Sequence, residues 1–317
     1  MTPDEKAAAA AFMAAIKERL RGRAQLILAA DQGVIRLLVE ARAQITAQLA
    51  AQPSDFALWR LPQLLGQIEA VLDGATTTGA ARVDGALREG WQQGEDFVDK
   101  PLAAGGINIE AQLPLLDVTV LGNLRSFTTS RIKDVGREAL AEINSSLGLV
   151  TLGAKTPFES IKDIQSILGD EATRRATTIV RTEVGRAFAM SNQQRLVQAS
   201  AKVPGMQKQW RRSGKLHSRW NHDAIDGQVV DVNKPFILPS YKGPVKMMFP
   251  HDPTAPIEEV INCGCMAIPY MKGWQVMTPG AKPFTDLELA GDPRKAQLAQ
   301  AAMRAAARQA GGQDEAS

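Results

Sequence analysis

All three histidines of this 317-residue chain, His217, His222 and His251, and both of its cysteines, Cys263 and Cys265, fall within one segment of about fifty residues. Imidazole and thiolate are the ligands from which tetrahedral zinc sites are built. A site drawing on His222, Cys263, Cys265 and either His217 or His251 is therefore chemically coherent. His222 and Asp226 are four residues apart, on one face if the segment is helical, so Asp226 could ligate or orient the imidazole. A plainer reading stands beside this one. In a strand Cys263 and Cys265 would point to the same side and be buried as small apolar groups, and Cys-x-Cys is less specific than two spaced Cys-x-x-Cys pairs. Two cysteines make no disulfide framework, and a reducing compartment would keep both as thiols.

Other polar groups in the chain carry weaker signals. Asp226-Gly227 reads as a turn whose glycine supplies positive φ. Pro250-His251-Asp252-Pro253 invites a nuclease reading, but proline-flanked polar residues usually build a rigid loop. Arg181-Thr182-Glu183 lies within a helical stretch. Arg181 and Glu183 are there either an exposed pair on a solvated face or an ion pair linking that helix to the segment after it. Arg174, Arg175, Arg186 and Arg195 add positive charge that could meet phosphates or an acidic face, or simply be solvated. Neither a glycine-rich phosphate loop of the P-loop type nor a Gly-x-Ser-x-Gly elbow is present, so nucleotide hydrolysis and serine esterase chemistry lack their usual signatures.

Most of the elements that must position these residues are helical. Thr2-Pro3-Asp4-Glu5 is a capping box that opens a helix running towards Pro53, with Gly22 and Gly33 as candidate breaks. A second helical stretch covers Phe56 to about Phe97, interrupted at Pro62 and between Gly74 and Gly79, and Lys100 to Gly106 reads as a linker. Helical spacing returns from Leu115 to Leu147. Thr156-Pro157-Phe158-Glu159 caps a short helix ending at Gly169, and Asp170 caps another from Glu171 to about Lys202, stopped by Pro204-Gly205. Beyond Met206 the texture changes, with strands expected at Val229 to Val232, Phe236 to Leu238 and Ile261 to Ile268. Asp292-Pro293 caps a last alanine-rich helix ending near Gly311. The fold class is α+β: a long, mostly helical region over residues 1–105, a small mixed domain over 106–272 and a helical tail over 273–317.

A net charge of +3 does not by itself argue for nucleic acid. The longest apolar stretch, Ala7 to Ile16, is well short of the roughly 20 residues that span a bilayer. Asp4 and Glu5 precede it where a secretory signal would be positive, so the expectation is a protein made in the cytoplasm without a membrane partner.

Taken in order, Ile179-Val180-Arg181-Thr182-Glu183, Trp210, Arg219 with His222 and Asp226-Gly227, Phe249-Pro250 and Ile261-Asn262-Cys263-Gly264-Cys265 resemble the C-terminal domain of phage Mu F-like head-morphogenesis proteins. The resemblance covers about Leu115 to Ile268. Two positions depart from the family pattern: Gly264, where arginine is usual, and His251, where glycine is more frequent. The resemblance implies a minor capsid protein of a tailed bacteriophage. Such a protein associates with the portal, with the major capsid or scaffold protein and DNA as further candidate partners, during procapsid assembly and DNA packaging or delivery. Its place would be the virion, inside the capsid or at the portal vertex. Arg181, Thr182, Glu183, Arg219, His222, Asp226, Gly227 and Asn262 would then hold the domain together, around zinc on Cys263, Cys265, His222 and His217 if metal is bound, and no catalysis is required. Two other classes compete: a metal-dependent His-Asn-His nuclease using His217, Asn221 and His222, and a toxin-like passenger of the kind to which such domains are fused, for which the tail after Lys272 is short.

Overall fold

A computed structural model of the chain describes residues 2–50, 61–271 and 282–301. It is α+β, with helices α1 (Pro3–Ala50), α2 (Leu61–Ala104), α3 (Thr119–Thr151), α4 (Pro157–Ser166) and α5 (Ala172–Ser200) preceding a region of short strands and helices. Thr2 opens α1 as the sequence predicts: the Glu5 N–H donates to Thr2 Oγ1 at 3.2 Å and the Thr2 N–H to Glu5 Oε2 at 2.7 Å. The helix then runs unbroken through Gly22 and Gly33. An interior glycine costs about 1 kcal/mol against alanine, and burial of Ile16, Val34, Leu38 and Ile45 outweighs that.

The linker expected from Lys100 is helical up to Ala104, with Pro101 inside α2. Phe97, Val98 and Leu102 are fully buried there, which anchors the turn despite the missing proline N–H. Gly106, at φ +87°, ends it: its N–H reaches Ala103 O at 2.9 Å and that of Ile107 reaches Leu102 O at 2.8 Å, the Schellman pattern. Gly74 and Gly79 do not interrupt α2 either, whereas the proposed start at Phe56 lies outside the described residues. Thr156 caps α4 with Glu159 as read from sequence. No break follows at Gly169 and Asp170, because a π-helical turn over Ile167–Glu171 carries the chain into α5.

The chain packs as two compact units built from non-contiguous segments: residues 1–20, 94–116 and 189–317 in one, 21–93 and 117–188 in the other. The second unit is helical. Its core includes Ala41, Ile45 and Leu49 of α1, Leu64, Ile68 and Leu72 of α2, Ala139, Ile143 and Leu147 of α3, and Ile164 and Leu168. At helical spacing each contributes one apolar stripe to a shared interior.

The first unit holds β1 (Met206–Arg211), α6 (Trp220–Ala224), β2 (Val229–Asp231), β3 (Phe236–Leu238), β4 (Val245–Met247), α7 (Ile257–Val260), β5 (Met266–Met271) and α8 (Asp286–Gly291). After Asp292, residues 293–301 are helical, and the end expected near Gly311 lies outside the described residues. An antiparallel sheet of order β2-β1-β5 places Trp210 opposite Ala267 and Gln209 opposite Val229, and β3 pairs with β4 as a hairpin. Two side chains of α5 fix that helix to the sheet region: Asn192 Nδ2 donates to Ala267 O at 2.8 Å, and Gln193 Nε2 to Val232 O at 2.7 Å. Trp210 and Phe236, both fully buried, meet edge to face at 5.2 Å. Among the described residues no helix is long and apolar enough to cross a membrane.

Candidate metal centre

Cys263 and Cys265 do not lie in a strand, as their alternation suggests; they occupy the loop between α7 and β5. Three features shape that loop. Asn262 adopts φ +52°, and the Cys263 N–H closes a turn onto Val260 O at 3.1 Å. Arg219 Nη2 donates to Ile261 O at 2.6 Å, and Lys215 Nζ donates to Asn262 O. Gly264 lies so close to the segment after β1 that a Cβ there would come within 2.7 Å of Ser213 Cβ.

The loop brings both sulfurs to α6. His222 Nδ1 is 3.6 Å from Cys263 Sγ and 3.6 Å from Cys265 Sγ, the three ligand atoms lie within 4.8 Å of one another, and all three residues are buried. On its other side His222 Nε2 meets Glu259 Oε2 at 2.9 Å. The second oxygen of Glu259 accepts from Asn221 Nδ2 at 2.9 Å, and Asn221 Oδ1 accepts the His222 N–H at 3.1 Å. With its proton on Nε2, the imidazole presents the Nδ1 lone pair to the thiols. A carboxylate behind a ligating histidine is the usual outer partner of a metal centre. Trp210 completes the seat, its Nε1 donating to His222 O at 3.0 Å and its ring edge-on to the imidazole at 5.3 Å.

The thiols are unequal. The hydrogen bond from Cys265 pulls Cys263 well below the ordinary thiol range against the opposing effect of burial, helped by His222 and the nearby His251. The same bond, together with burial, pushes Cys265 well above it. A site that already favours one thiolate beside a lone pair suits a cation. This buried group could hold a metal ion.

Other residues singled out by sequence go elsewhere. His217 is exposed on the wall of the cavity beside the centre, outside the three converging donors. Asp226 does not orient His222. It accepts the Arg212 N–H at 2.9 Å and the Lys282 N–H, while Gly227, at φ +86°, donates to Trp210 O at 2.9 Å, so the pair forms a turn. Buried His251, at φ +71°, lies in a loop ordered by Asp252, which accepts the Met248 and Thr254 N–H groups at 2.7 and 2.9 Å.

Arg181 and Glu183 are ion-paired, but to helices and not to the strand region. Arg181 forks onto Asp31 of α1 at 2.6 and 2.8 Å. Buried Glu183 meets Arg186 at 2.5 Å and Arg131 at 3.6 Å; burial raises its carboxyl and those arginines oppose the rise. Thr182 is buried between them. Arg195 is no surface cation: it is 3% exposed and grips Asp99 at 2.6 and 2.9 Å. Sequence reading missed Glu259, although Glu258-Glu259 precede the Cys-x-Cys loop, and it named Asn221 for nuclease chemistry and not as a partner that helps seat His222.

Among curated proteins, the chain is 35% identical over 115 residues to "Uncharacterized protein YqbB" of Bacillus subtilis (strain 168), a match covering 35% of this chain and 36% of that one. It is 28% identical over 100 residues to "NAD(+)--arginine ADP-ribosyltransferase EFV" of Enterococcus faecalis (strain ATCC 700802 / V583), covering 32% of this chain and 20% of that one. The matches thus span well under two thirds of either relative. No protein-family profile and no solved structure matches the chain.

Proposed function

We propose that this chain is a bacteriophage minor capsid protein acting at the portal in procapsid assembly and in DNA packaging or delivery, and that zinc on His222, Cys263 and Cys265 clamps its strand-bearing unit. The observation that carries the reading is that the motif residues shared with the Mu F-like pattern are used in holding the fold. Arg181 ties α5 to α1 through Asp31 and Glu183 ties it to α3 through Arg131, Arg219 pins the cysteine loop, and Asp226-Gly227 shapes the turn after α6. Two thiolates and an imidazole suit zinc, which would tie the loop before β5 to α6. The long α1 and α2 supply surfaces of the kind that dock on a partner's helices or shell.

A nuclease is the second reading, favoured by one observation: the three donors line a cavity, which would leave a metal open on that side. Against it, both ring nitrogens of His222 and both polar ends of the Asn221 amide are engaged in the site itself, which leaves neither to act on a water. ADP-ribosyl transfer is the activity for which the Enterococcus faecalis protein is named, and only 20% of that protein is matched. A shared module joined to different partners accounts for that likeness without shared chemistry.

Cross-linking mass spectrometry on phage particles and procapsids from the producing strain tests the reading. Cross-links from residues before Lys100 to the portal subunit are expected, with about one zinc per chain in the purified protein. Absence of the chain from both particles sinks the capsid role, and zinc-dependent DNA cleavage lost in His222→Ala would put the nuclease in its place.

A further inference from the structure

His222, Cys263 and Cys265 all line a cavity of about 570 Å³, within the 300–1,000 Å³ typical of small-ligand sites. Zinc held by two cysteines and one histidine takes a fourth ligand to become tetrahedral. Among the described residues no further histidine, cysteine or carboxylate atom converges on the three donors. Glu259 has both oxygens committed, one to Asn221 and one to His222 Nε2, the ring nitrogen turned away from the sulfurs. His217 is exposed on the cavity wall. The fourth position is therefore left to what enters the cavity.

Charge and shape narrow what that is. Two thiolates and a neutral imidazole cancel the double charge of zinc, so the loaded centre carries no net charge. The wall carries both signs: Lys215, Arg219 and Lys242 share it with Glu258 and Glu259, and Arg294 is answered by Asp292 at 2.8 Å. Neither an anion nor a cation meets a field of one sign there, which favours a neutral donor. Trp220, the first residue of α6, and Tyr241, on the loop joining β3 to β4, both line the cavity, their ring centroids 5.6 Å apart at a tilt of 48°. Tyr241 is 95% exposed, so its ring is open to a second one. Both rings stand on anchored backbone. Trp220 directly precedes Asn221 and His222, which Glu259 holds, and the Gly243 N–H closes the tyrosine loop on Ser240 O at 3.1 Å.

We propose that the metal is open to this cavity and that its fourth ligand is a small, neutral aromatic nitrogen heterocycle, the ring nitrogen on the metal and the ring system against Tyr241 and Trp220. Aromatic nitrogen is a donor that zinc already takes from His222. In such a ring the lone pair lies in the ring plane, so the nitrogen can point at the metal while both faces stay free to stack. Water would fill the position and leave the rings idle, and an aromatic hydrocarbon would leave the metal unanswered. The inference rests on the metal part of the reading above and is independent of the capsid role.

The full chain loaded with cobalt(II), whose visible absorption bands report the ligands on the metal, tests it by titration with imidazole, 4-phenylimidazole and azide. The titration is run at about pH 8, where an imidazole is neutral, and at concentrations at which the chain keeps its cobalt. Both azoles should shift the bands saturably, and azide should shift them less. The larger azole should bind about fivefold or more tightly than imidazole. Tyr241→Ala should remove most of that advantage while leaving the affinity for imidazole itself unchanged. Tyr241 is exposed on a loop, and an unaltered cobalt spectrum before titration verifies that the variant keeps its metal site. His217→Ala should likewise leave the starting spectrum as it is. A chain that takes up no cobalt overturns the metal reading and this inference together. Cobalt bound in proportion to the chain, but with bands that no azole moves, overturns this inference alone. So does a preference for azide, a 4-phenylimidazole advantage that survives Tyr241→Ala, or a starting spectrum altered by His217→Ala.

Discussion

His222 Nε2 lies 2.9 Å from Glu259 Oε2, a carboxylate 37 residues further along the chain. That contact fixes which ring nitrogen faces the thiols, and it makes Glu259 the residue on which metal retention should depend without its touching the metal. Outer partners of this kind are typically worth 10–100-fold in metal affinity. Glu259→Ala should lower zinc affinity by about that factor. Glu259→Gln, which keeps one acceptor oxygen, should lower it less. Competition against a chromophoric chelator reads both, and an unchanged affinity in the alanine variant would show that the imidazole is oriented by its surroundings alone.

Gly264 is a position where the Mu F-like pattern of the proposed reading has arginine and this chain has no room for a side chain. A methyl group there would meet Ser213 Cβ at 2.7 Å and Lys215 Cε at 3.1 Å. Overpacking of this kind costs typically 1–3 kcal/mol. Gly264→Ala should therefore destabilise the strand-bearing unit by about that amount and weaken zinc retention, since the strained loop carries both sulfurs. Ser213→Gly removes the nearer obstacle, so the double variant should recover part of the loss in urea unfolding. A double variant no better than Gly264→Ala would place the constraint elsewhere.

The same loop shows how far the sequence could be read. Clustering of all histidines and cysteines is visible in one dimension, and so are the caps at Thr2 and Thr156, because those signals act over three or four residues. The partner of His222 was not legible. Asp226 has the right spacing for a helix, but α6 ends at Ala224 and the carboxylate that arrives is on another element. Strand β1 escaped notice because Met206 to Arg211 lacks a β-branched run; Lys208 is fully buried by groups distant in sequence, its Nζ meeting Gln193 Oε1 at 3.2 Å and Met248 O at 2.6 Å. Tertiary context likewise overrode the breaks expected at Gly22, Gly33 and Pro101. Arg195 read as surface charge because its acceptor, Asp99, is 96 residues away.

That Arg195–Asp99 pair yields its own expectation. Both side chains are nearly inaccessible, and Arg195 Nη1 also holds Pro114 O at 3.0 Å. Removing one member of a buried pair leaves an unanswered charge and costs about 3–5 kcal/mol. Asp99→Ala should destabilise by that order in urea, softened by Glu95 at 3.3 Å from Arg195. Asp99→Leu combined with Arg195→Met should be less damaging than the two single changes together, since apolar groups can replace a buried pair. Simple additivity would mean that the pair contributes no coupling.

Glu288 gives a pH dependence. Burial by itself would raise its carboxyl, but hydrogen bonds from Arg212, the Thr285 N–H and Lys295 overcome that and hold it at about 2, against an ordinary value of 4.5. A carboxyl depressed on folding contributes stability that is fully present above the unfolded value and fades as pH falls from about 4.5 towards 2. For this buried group the shift corresponds to roughly 3 kcal/mol. Acid weakens thiolate–metal bonds over the same range, so the comparison belongs in a chelated sample. There, Glu288→Gln should be less stable than the parent at pH 7, and the gap between them should narrow as pH falls below about 4. A gap that stays constant down to pH 2.5 would assign the loss to packing in place of charge, and Arg212→Met should then leave the acid limb of the parent's stability curve unchanged.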